Sequence, residues 1–238
     1  MTDPTSPSLV ALERDALQAL VDGDPIDSVL RDVARAVGQL QALPGVAFLR
    51  LDESGASLSL LAQSGLRGAM LDALGTIRVG PAGQPPGVAV FTSAPAAGPL
   101  VGPAGGPGAA LAEPLTDDDG RIAGALLLAG LSRPEEMPEP LRRTIGRLFA
   151  MALRRDRRDR EVQDLIYRDP LTGLPNRRCF DERLAETFAR GVDAACPVSV
   201  LFMDLDEFKK VNDTLGHEVG DLLLAIVGSR LRRALSTE

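Results

Sequence analysis

The chain has 238 residues, enough for one large domain or two small ones. Its formal charge of −7, the absence of Trp and the single Tyr argue against a nucleic-acid-binding protein, which needs positive charge or aromatic stacking. No apolar run approaches the roughly 18–20 residues of a membrane span, and the N-terminus lacks the pattern of a signal peptide. We therefore expect a cytoplasmic protein without a membrane span. Cys179 and Cys196 show no metal-ligand spacing and are expected to be free thiols.

The first part of the chain is predicted to contain two helices after a flexible tail at residues 1–8. Apolar residues recur at helical spacing from Leu9 to Leu20. Asp24 is a candidate cap for a second helix with Pro25 at its first position, a placement that both residue types favour. The apolar stripe of this second helix extends from Ile26 to Leu40.

Two hairpins are predicted next, separated by an irregular region. The runs VAFLRL and SLSLLA flank the turn 52–55, and the runs AALAEPL and RIAGALLLAGL flank the turn 117–120. Between the hairpins, residues from about Gly65 to Gly108 are rich in Gly, Pro and Ala. Such a stretch either lines a binding pocket or is simply a loop.

This order of elements resembles the GAF family of small-molecule sensor domains over residues 9–153. The segments GVAVFTSAPA, AEPLTDDDGRIAGALLLAGL and LRRTIGRLFAMALRR carry the resemblance. It implies an antiparallel sheet flanked by helices, and a sensor of the PAS type is the alternative. The ligand is unknown, because the segment before residue 154 contains no Cys or His for a bilin or haem, and it lacks a cyclic-nucleotide signature.

Residues 141–168 form a predicted connecting helix. Its apolar positions lie at a 3–4 spacing that the charged run RRDRRDRE interrupts. One interpretation is a solvated helix that closes the sensor domain. The other is a signalling helix that pairs with a second copy as a short coiled coil.

The segment DPLTGLPNRR at 169–178 predicts a structured turn before another helix. Pro170, Gly173 and Pro175 favour the turn, and Asn176 can cap the helix that continues through Phe188. The run PVSVLFMDLD at 197–206 lacks polar alternation until its end, as expected of a central strand covered on both faces.

Polar residues at the end of this strand suit a metal–nucleotide site. Asp204 and Asp206 would leave the same strand face at its C-terminal edge, where Mg²⁺ could bind together with substrate phosphates. Lys209 or Lys210 could meet the phosphates as a point charge. The edge of guanine presents an acceptor carbonyl and N–H donors, which an Asn amide and a carboxylate together can match. Asn212 provides the amide.

Structural roles compete with these functional ones. Asp206 is more readily explained as a cap of the following turn, and Asp213 as a solvated turn residue. Asp221 could simply favour a helix N-terminus, and His217 is more often structural than catalytic. Asp204 is the strongest candidate, because an acid that ends so apolar a strand needs a partner or a metal ion.

The segments DPLTGLPNRR and FMDLDEFKKVNDTLGHEVGD closely resemble the opening half of GGDEF domains, the diguanylate cyclases of bacteria, over residues 165–238. The resemblance implies a palm-like fold of the nucleotidyl cyclase type. It also implies condensation of two GTP molecules into cyclic di-GMP and two pyrophosphates between two such domains in a homodimer. The whole chain is therefore expected to be an α/β protein of the α+β type.

The resemblance also assigns roles by position. Asp204 and the Leu205 carbonyl correspond to ligands of Mg²⁺ or Mn²⁺. Phe208 packs beneath the site, Lys209 approaches the phosphates, and His217 lies in the turn at the nucleotide. The guanine is read by Asn212 and Asp221.

The Gly-Gly-Asp/Glu-Glu-Phe signature itself is absent from the 238 residues, and with it the second metal-binding acid that is the usual general base. We therefore expect no catalytic base within this polypeptide, and we expect the general-base acid to lie beyond Glu238. It follows that the polypeptide should not synthesise cyclic di-GMP and that its C-terminal part should be marginally folded. The parent protein is expected to be a sensor-regulated diguanylate cyclase. The alternatives are a non-catalytic sensor or dimerisation module, and a bifunctional protein with a phosphodiesterase domain.

Overall fold

The computed structural model describes residues 8–100, 108–189 and 199–235. The predicted tail lies almost entirely outside these ranges, as do Cys196 and Glu238. Two compact units divide between Arg157 and Arg158. The fold class is mixed α/β, as predicted, and no helix among the described residues is long and apolar enough to cross a membrane.

The N-terminal unit begins with the two predicted helices, α1 (Leu9–Asp22) and α2 (Ile26–Leu40). Ser8 caps α1 by accepting a hydrogen bond from the Ala11 N–H at 3.1 Å. The predicted Asp24 cap of α2 is wrong, because Pro25 occupies the N-cap position and no side chain caps this helix. Backbone bonds from the Ser28 and Val29 N–H groups to the Pro25 carbonyl start the helix instead.

Six antiparallel strands form one sheet, whose spatial order is β3 (Thr76–Arg78), β2 (Ser57–Ser64), β1 (Gly45–Leu51), β6 (Ile122–Ala129), β5 (Gly108–Thr116) and β4 (Ala96–Leu100). Both predicted hairpins are confirmed. The first pairs β1 (Gly45–Leu51) with β2 (Ser57–Ser64), and the second pairs β5 (Gly108–Thr116) with β6 (Ile122–Ala129). The two hairpins join where β1 lies beside β6, so the middle of the sheet consists of their most apolar strands.

The segment between the hairpins is more regular than its composition predicts. It contains the helices α3 (Ala69–Asp72) and α4 (Pro85–Thr92) and the edge strands β3 (Thr76–Arg78) and β4 (Ala96–Leu100). Residues 101–107 of the predicted irregular region lie outside the described ranges. A cavity of about 500 Å³ opens between the start of α4 and β4, lined in part by Gln84, Val88 and Pro99.

Two hydrophobic clusters cover the two faces of the sheet. Val46, Phe48 and Leu126 face the cluster that contains α1, α2 and the N-terminal part of the long helix α5 (Glu139–Tyr167). Ala47 and Leu127 face the cluster with α4. Alternate residues of β1 and β6 are thus buried on opposite faces, which explains why both strands read as continuous apolar runs.

The C-terminal unit contains the rest of α5, followed by α6 (Arg177–Ala189), α7 (Phe208–Leu215) and α8 (His217–Leu235). The predicted Asn176 cap is confirmed, since its Oδ1 accepts a hydrogen bond from the Cys179 N–H at 3.1 Å. Cys179 is a free thiol, as predicted.

Candidate functional site

The segment that leads to Asp204 does not form the predicted strand. Residues 199–205 have no regular secondary structure, and the side chains of Leu201 and Phe202 are 83% and 91% exposed. Pro197 and Val198 lie outside the described ranges. A strand requires a hydrogen-bonded neighbour, and no described residue pairs with this segment. Asp204 and Asp206 consequently do not share a strand face.

Asp204 lies on an exposed turn into α7. Its Oδ1 accepts a hydrogen bond from the Leu205 N–H at 2.9 Å, and the Leu205 carbonyl accepts one from the Phe208 N–H at 3.3 Å. Glu207, with φ of 58°, occupies the N-cap position of α7. Asp206, which the sequence favoured as a cap, therefore does not cap this helix. Lys210 pairs with Glu207 at 3.1 Å.

Helices α7 and α8 form a tight pair across a turn at Gly216. The φ of Gly216 is 86°, a backbone conformation that favours glycine, and its N–H donates to the Asn212 carbonyl at 2.9 Å. His217 is the first residue of α8 and is exposed. Asp221 is the fifth residue, so it lies just beyond the first turn that the sequence predicts for it.

The pairing of these helices brings Phe208 and Asn212 against Gly220, the residue before Asp221. A Cβ placed on Gly220 would lie 1.8 Å from Asn212 Oδ1 and 3.3 Å from Phe208 Cζ. Asn212 Oδ1 is buried, and no group among the described residues donates a hydrogen bond to it. Phe208 and Asn212 therefore meet α8 at Gly220, and the exposed Asp221 is the next residue along the helix. Among the described residues, no side-chain hydrogen bond or ion pair joins them to Asp204, Lys209 or His217.

The oxygen atoms of Asp204 and Leu205 suit a hard cation such as Mg²⁺, which is typically held by one or two carboxylates, waters and substrate phosphates. The Asp204 carboxylate is exposed and only one of its oxygens accepts a described hydrogen bond. No cluster of three or more His, Cys, Asp or Glu side chains that could hold an ion occurs in the described part of the chain. The donor atoms present are therefore of the oxygen type that such a cation prefers.

The predicted position of the general base falls outside the part of the chain that the structure describes. The described residues end at Leu235, the last residue of α8, and Glu238 lies beyond them. The expectation that the catalytic acid follows Glu238 therefore stays a prediction.

A second contact fixes α8 to the turn at 169–176. Gly228 lies so close to Thr172 that a Cβ there would be 2.9 Å from the Thr172 Cβ. Arg232 donates from Nη2 to the Thr172 carbonyl at 2.8 Å. Asp169 Oδ1 in turn accepts hydrogen bonds from the Thr172 N–H at 2.8 Å and its Oγ1 at 2.7 Å, and these bonds lower the pKa of Asp169.

Sequence reasoning missed both glycine contacts and the arginine. The available signal was the pair of glycines eight residues apart, Gly220 and Gly228, in an otherwise apolar helix. The apolar residues of α8 do not form a buried stripe. Leu222 is 61% exposed, and only the two glycines of this helix are buried. The helix therefore packs through close approach of its backbone rather than through buried side chains.

Comparison with known proteins identifies this part of the chain. The family model "Diguanylate cyclase, GGDEF domain" matches residues 166–238. These residues are therefore similar to the GGDEF family. The match includes the turn at 169–176, the exposed segment before Asp204 and the pair α7–α8, so the contacts at Gly220 and Gly228 both lie within the matched segment.

Curated relatives support the same family. The chain is 44% identical over 87 residues to the bifunctional diguanylate cyclase/cyclic di-GMP phosphodiesterase MucR of Pseudomonas aeruginosa, covering 37% of this chain and 13% of that protein. It is 34% identical over 130 residues to the diguanylate cyclase DgcP of Escherichia coli, covering 51% and 38%. The chain thus spans well under half the length of these relatives.

Among solved structures, the GAF domain of an Acinetobacter phosphoenolpyruvate-protein phosphotransferase aligns with a TM-score of 0.48 and 14% identity. The alignment covers 64% of this chain and 95% of that one.

Proposed function

We propose that this chain provides a sensor unit and one side of a GTP half-site in a diguanylate cyclase. The GGDEF family match over residues 166–238 carries the proposal. The contact of α7 with α8 supports it, because it packs Asn212 against Gly220, the residue before the carboxylate-bearing Asp221. Guanine presents an acceptor carbonyl beside two N–H donors, which an amide and a carboxylate can match.

In this proposal each residue acts by binding or positioning. Asn212 and Asp221 bind the guanine, Phe208 supports the contact beneath it, and His217 at the start of α8 lies beside the nucleotide. The exposed Lys209 binds phosphate oxygens. Asp204 and the Leu205 carbonyl would hold Mg²⁺ or Mn²⁺, which neutralises phosphate charge when bound. The reaction joins the 3′-hydroxyl of one GTP to the α-phosphorus of another, with pyrophosphate as the leaving group, so orientation of the two nucleotides is the main task of the protein.

We propose further that the 238-residue polypeptide binds GTP without converting it. The sequence contains no Gly-Gly-Asp/Glu-Glu-Phe segment to supply the second acid that the family resemblance implies. A cyclase also uses GTP from the cytoplasm, and we place the protein there for that reason.

Isothermal titration calorimetry with GTP and with ATP, each with Mg²⁺, tests the binding proposal. We expect preferential GTP binding that Asn212→Ala and Asp221→Ala each weaken at least tenfold. Asp213→Ala, a change at an exposed position on α7, is the matched control and should leave binding unchanged. Equal affinity for GTP and ATP would contradict the guanine site. Chromatographic detection of cyclic di-GMP made by the purified polypeptide would contradict the proposal that it lacks turnover.

Homodimer formation through the connecting helix is a second part of the proposal. The C-terminal part of α5 exposes apolar side chains at a 3–4 spacing, namely Val162 (52%), Leu165 (79%) and Ile166 (36%). Such a row is suited to pairing with a second copy. We expect Leu165→Glu to shift the protein to monomer in analytical ultracentrifugation. Val21→Glu changes an equally exposed apolar residue on α1 and should not alter the oligomeric state.

We propose that the sensor unit regulates the cyclase through α5. The contacts made by the charged run after Leu153 support this. Arg155 donates to the Leu20 and Asp24 carbonyls at 2.8 and 3.0 Å, while Asp156 pairs with Arg50 of β1 at 2.8 Å. Polar contacts thus connect α5 to the α1–α2 turn and to the central sheet, so a change in either would alter the helix. Arg50→Ala breaks the pair with Asp156 and should change hydrogen-exchange protection in α5 at residues 158–167. Unchanged protection there would contradict the proposal.

A further inference from the structure

The contact between α7 and α8 leaves no room for a side chain at residue 220. A Cβ on Gly220 would lie 1.8 Å from Asn212 Oδ1 and 2.9 Å from Asn212 Cγ, distances that real Cβ atoms essentially never show. Phe208 Cζ would be 3.3 Å away. Any residue other than glycine therefore displaces the Asn212 amide or separates the helices.

The amide that occupies this space is held there at a cost. Asn212 Oδ1 is buried without a hydrogen-bond partner in the part of the chain that the structure describes, and an unsatisfied buried amide oxygen is unfavourable. Contact with the Cα–H of a glycine offsets only part of that cost. A polar group kept in an unfavourable place by close packing indicates that its orientation matters.

Orientation decides what an asparagine can recognise. The final torsion of an Asn side chain is broad and roughly two-fold, so an unconstrained amide exchanges its oxygen and its NH₂ group in space. Guanine and adenine differ in which atoms of the same ring edge donate and accept. A freely rotating Asn212 could therefore serve either base, whereas a fixed one selects between them.

We infer that Gly220 is a positioning residue for base selectivity: its missing side chain leaves room for the Asn212 amide against α8 in one orientation. The inference rests on the proposed GTP site. Gly220 itself contacts Asn212 and Phe208, and it acts on the nucleotide only through them.

Gly220→Ala tests the inference in the 238-residue protein through two measurements. The first is amide hydrogen exchange across α7 and α8 in a double-mutant cycle with Asn212→Ala. We expect Gly220→Ala to lower protection of the helix pair at least tenfold when Asn212 is present. In the Asn212→Ala background, where Oδ1 and Cγ are gone, the loss should vanish.

The second measurement is the ratio of GTP to ATP affinity by calorimetry. Gly220→Ala should lower this ratio at least tenfold and towards unity. Gly228→Ala is the matched control, because it places a methyl group on the other buried glycine of α8, against Thr172 rather than Asn212. It should reduce the protection of the helix pair equally with and without the Asn212→Ala substitution, and it should leave the ratio of GTP to ATP affinity unchanged.

Two results would overturn the inference. One is an equal loss of protection from Gly220→Ala with and without Asn212, which would make the glycine a general packing residue. The other is a ratio of GTP to ATP affinity that Gly220→Ala leaves unchanged, when the unmodified protein prefers GTP. Absence of any GTP preference in the unmodified protein would instead contradict the proposed function, and with it the selectivity role. The exchange cycle would still report the Gly220–Asn212 contact separately.

Discussion

The N-terminal unit buries its apolar residues, whereas the C-terminal unit exposes them. Large side chains such as Phe48, Phe149 and Leu127 are essentially inaccessible to solvent in the N-terminal unit. In the described part of the C-terminal unit the only buried residues are Gly220 and Gly228. Similar apolar content thus yields a packed core in one unit and an open surface in the other.

The difference shows which signals act locally and which need a partner. Helices α6, α7 and α8 form where caps, turns and glycines specify them, although their apolar faces are exposed. The run at 199–203 is as apolar as β6, but without a neighbouring strand it has no regular structure. Exposed apolar surface of this extent is characteristic of sites that contact other polypeptide.

Removal of an aromatic side chain should reveal the largest difference in stability between the two units. Phe149 stacks on Phe48 with ring centroids 5.9 Å apart, so Phe149→Ala should lower the free energy of unfolding by about 3–5 kcal/mol. Phe188→Ala removes a ring that is 59% exposed on α6 and should change it by less than about 0.5 kcal/mol. Urea denaturation followed by circular dichroism measures both. Similar losses for the two variants would contradict the contrast in packing.

A buried ion pair gives the N-terminal unit a pH dependence. Burial raises the pKa of Glu113 on β5, and the pairing with Arg142 at 2.9 Å only partly opposes this. Arg142→Ala leaves a buried carboxylate without its cation and should cost roughly 3 kcal/mol at pH 7. Because the folded-state pKa is raised, protonation of Glu113 favours the folded state, so the cost should shrink as the pH falls through that pKa.

Denaturation of wild type and Arg142→Ala between pH 4.5 and 7 measures this effect. Glu139→Gln is the control, since it removes the exposed partner of the same arginine at 3.4 Å. It should have a small effect at every pH. A cost of Arg142→Ala that stays constant over this range would contradict the raised pKa of Glu113.

The contact between the sheet and α5 should have an intermediate energy. Arg50 and Asp156 are each about one-fifth exposed, and their side chains meet at 2.8 Å. We expect a coupling energy of about 1 kcal/mol in a double-mutant cycle of Arg50→Ala and Asp156→Ala. The exposed pair Arg31–Asp27 on α2, at 2.9 Å, is the matched control and should give about 0.3 kcal/mol. Equal coupling in the two pairs would show that partial burial adds nothing here.

Sequence patterns predicted the elements of the N-terminal unit well, because periodicity and turn residues act over short distances. The hairpin turns at 52–55 and 117–120 and the helix from 139 to 167 are examples. The role of Arg155 and Asp156 was not predictable. A charged run that contacts a distant turn and strand has the same composition as one exposed to water.

The candidate site divides in the same way. The helix bearing Asp221 was predictable from local pattern, although Asp221 lies just beyond its first turn, whereas the helix bearing Asn212 was not predicted. The strand before Asp204 was not, because its structure depends on hydrogen bonds to neighbouring strands. The close approach at Gly220 depends on the distance between two helices, which no single helix encodes.

The smallest expected effect concerns the turn at 169–176 in the C-terminal unit. Asp169→Asn should lower amide exchange protection at Thr172 by less than tenfold, because an amide oxygen accepts the same hydrogen bonds more weakly than a carboxylate. The pKa of Asp169 is lowered in the folded state, so its contribution is present at neutral pH and should be lost as the pH falls below the usual value of 3.8.

Asp181→Asn, at an exposed position on α6, should leave Thr172 unaffected. Unchanged protection in Asp169→Asn would mean that backbone bonds such as Gly173 N–H to the Asp169 carbonyl, at 2.8 Å, suffice to order the turn. The C-terminal unit would then depend on backbone structure alone, and the contrast with the side-chain core of the N-terminal unit would be sharper still.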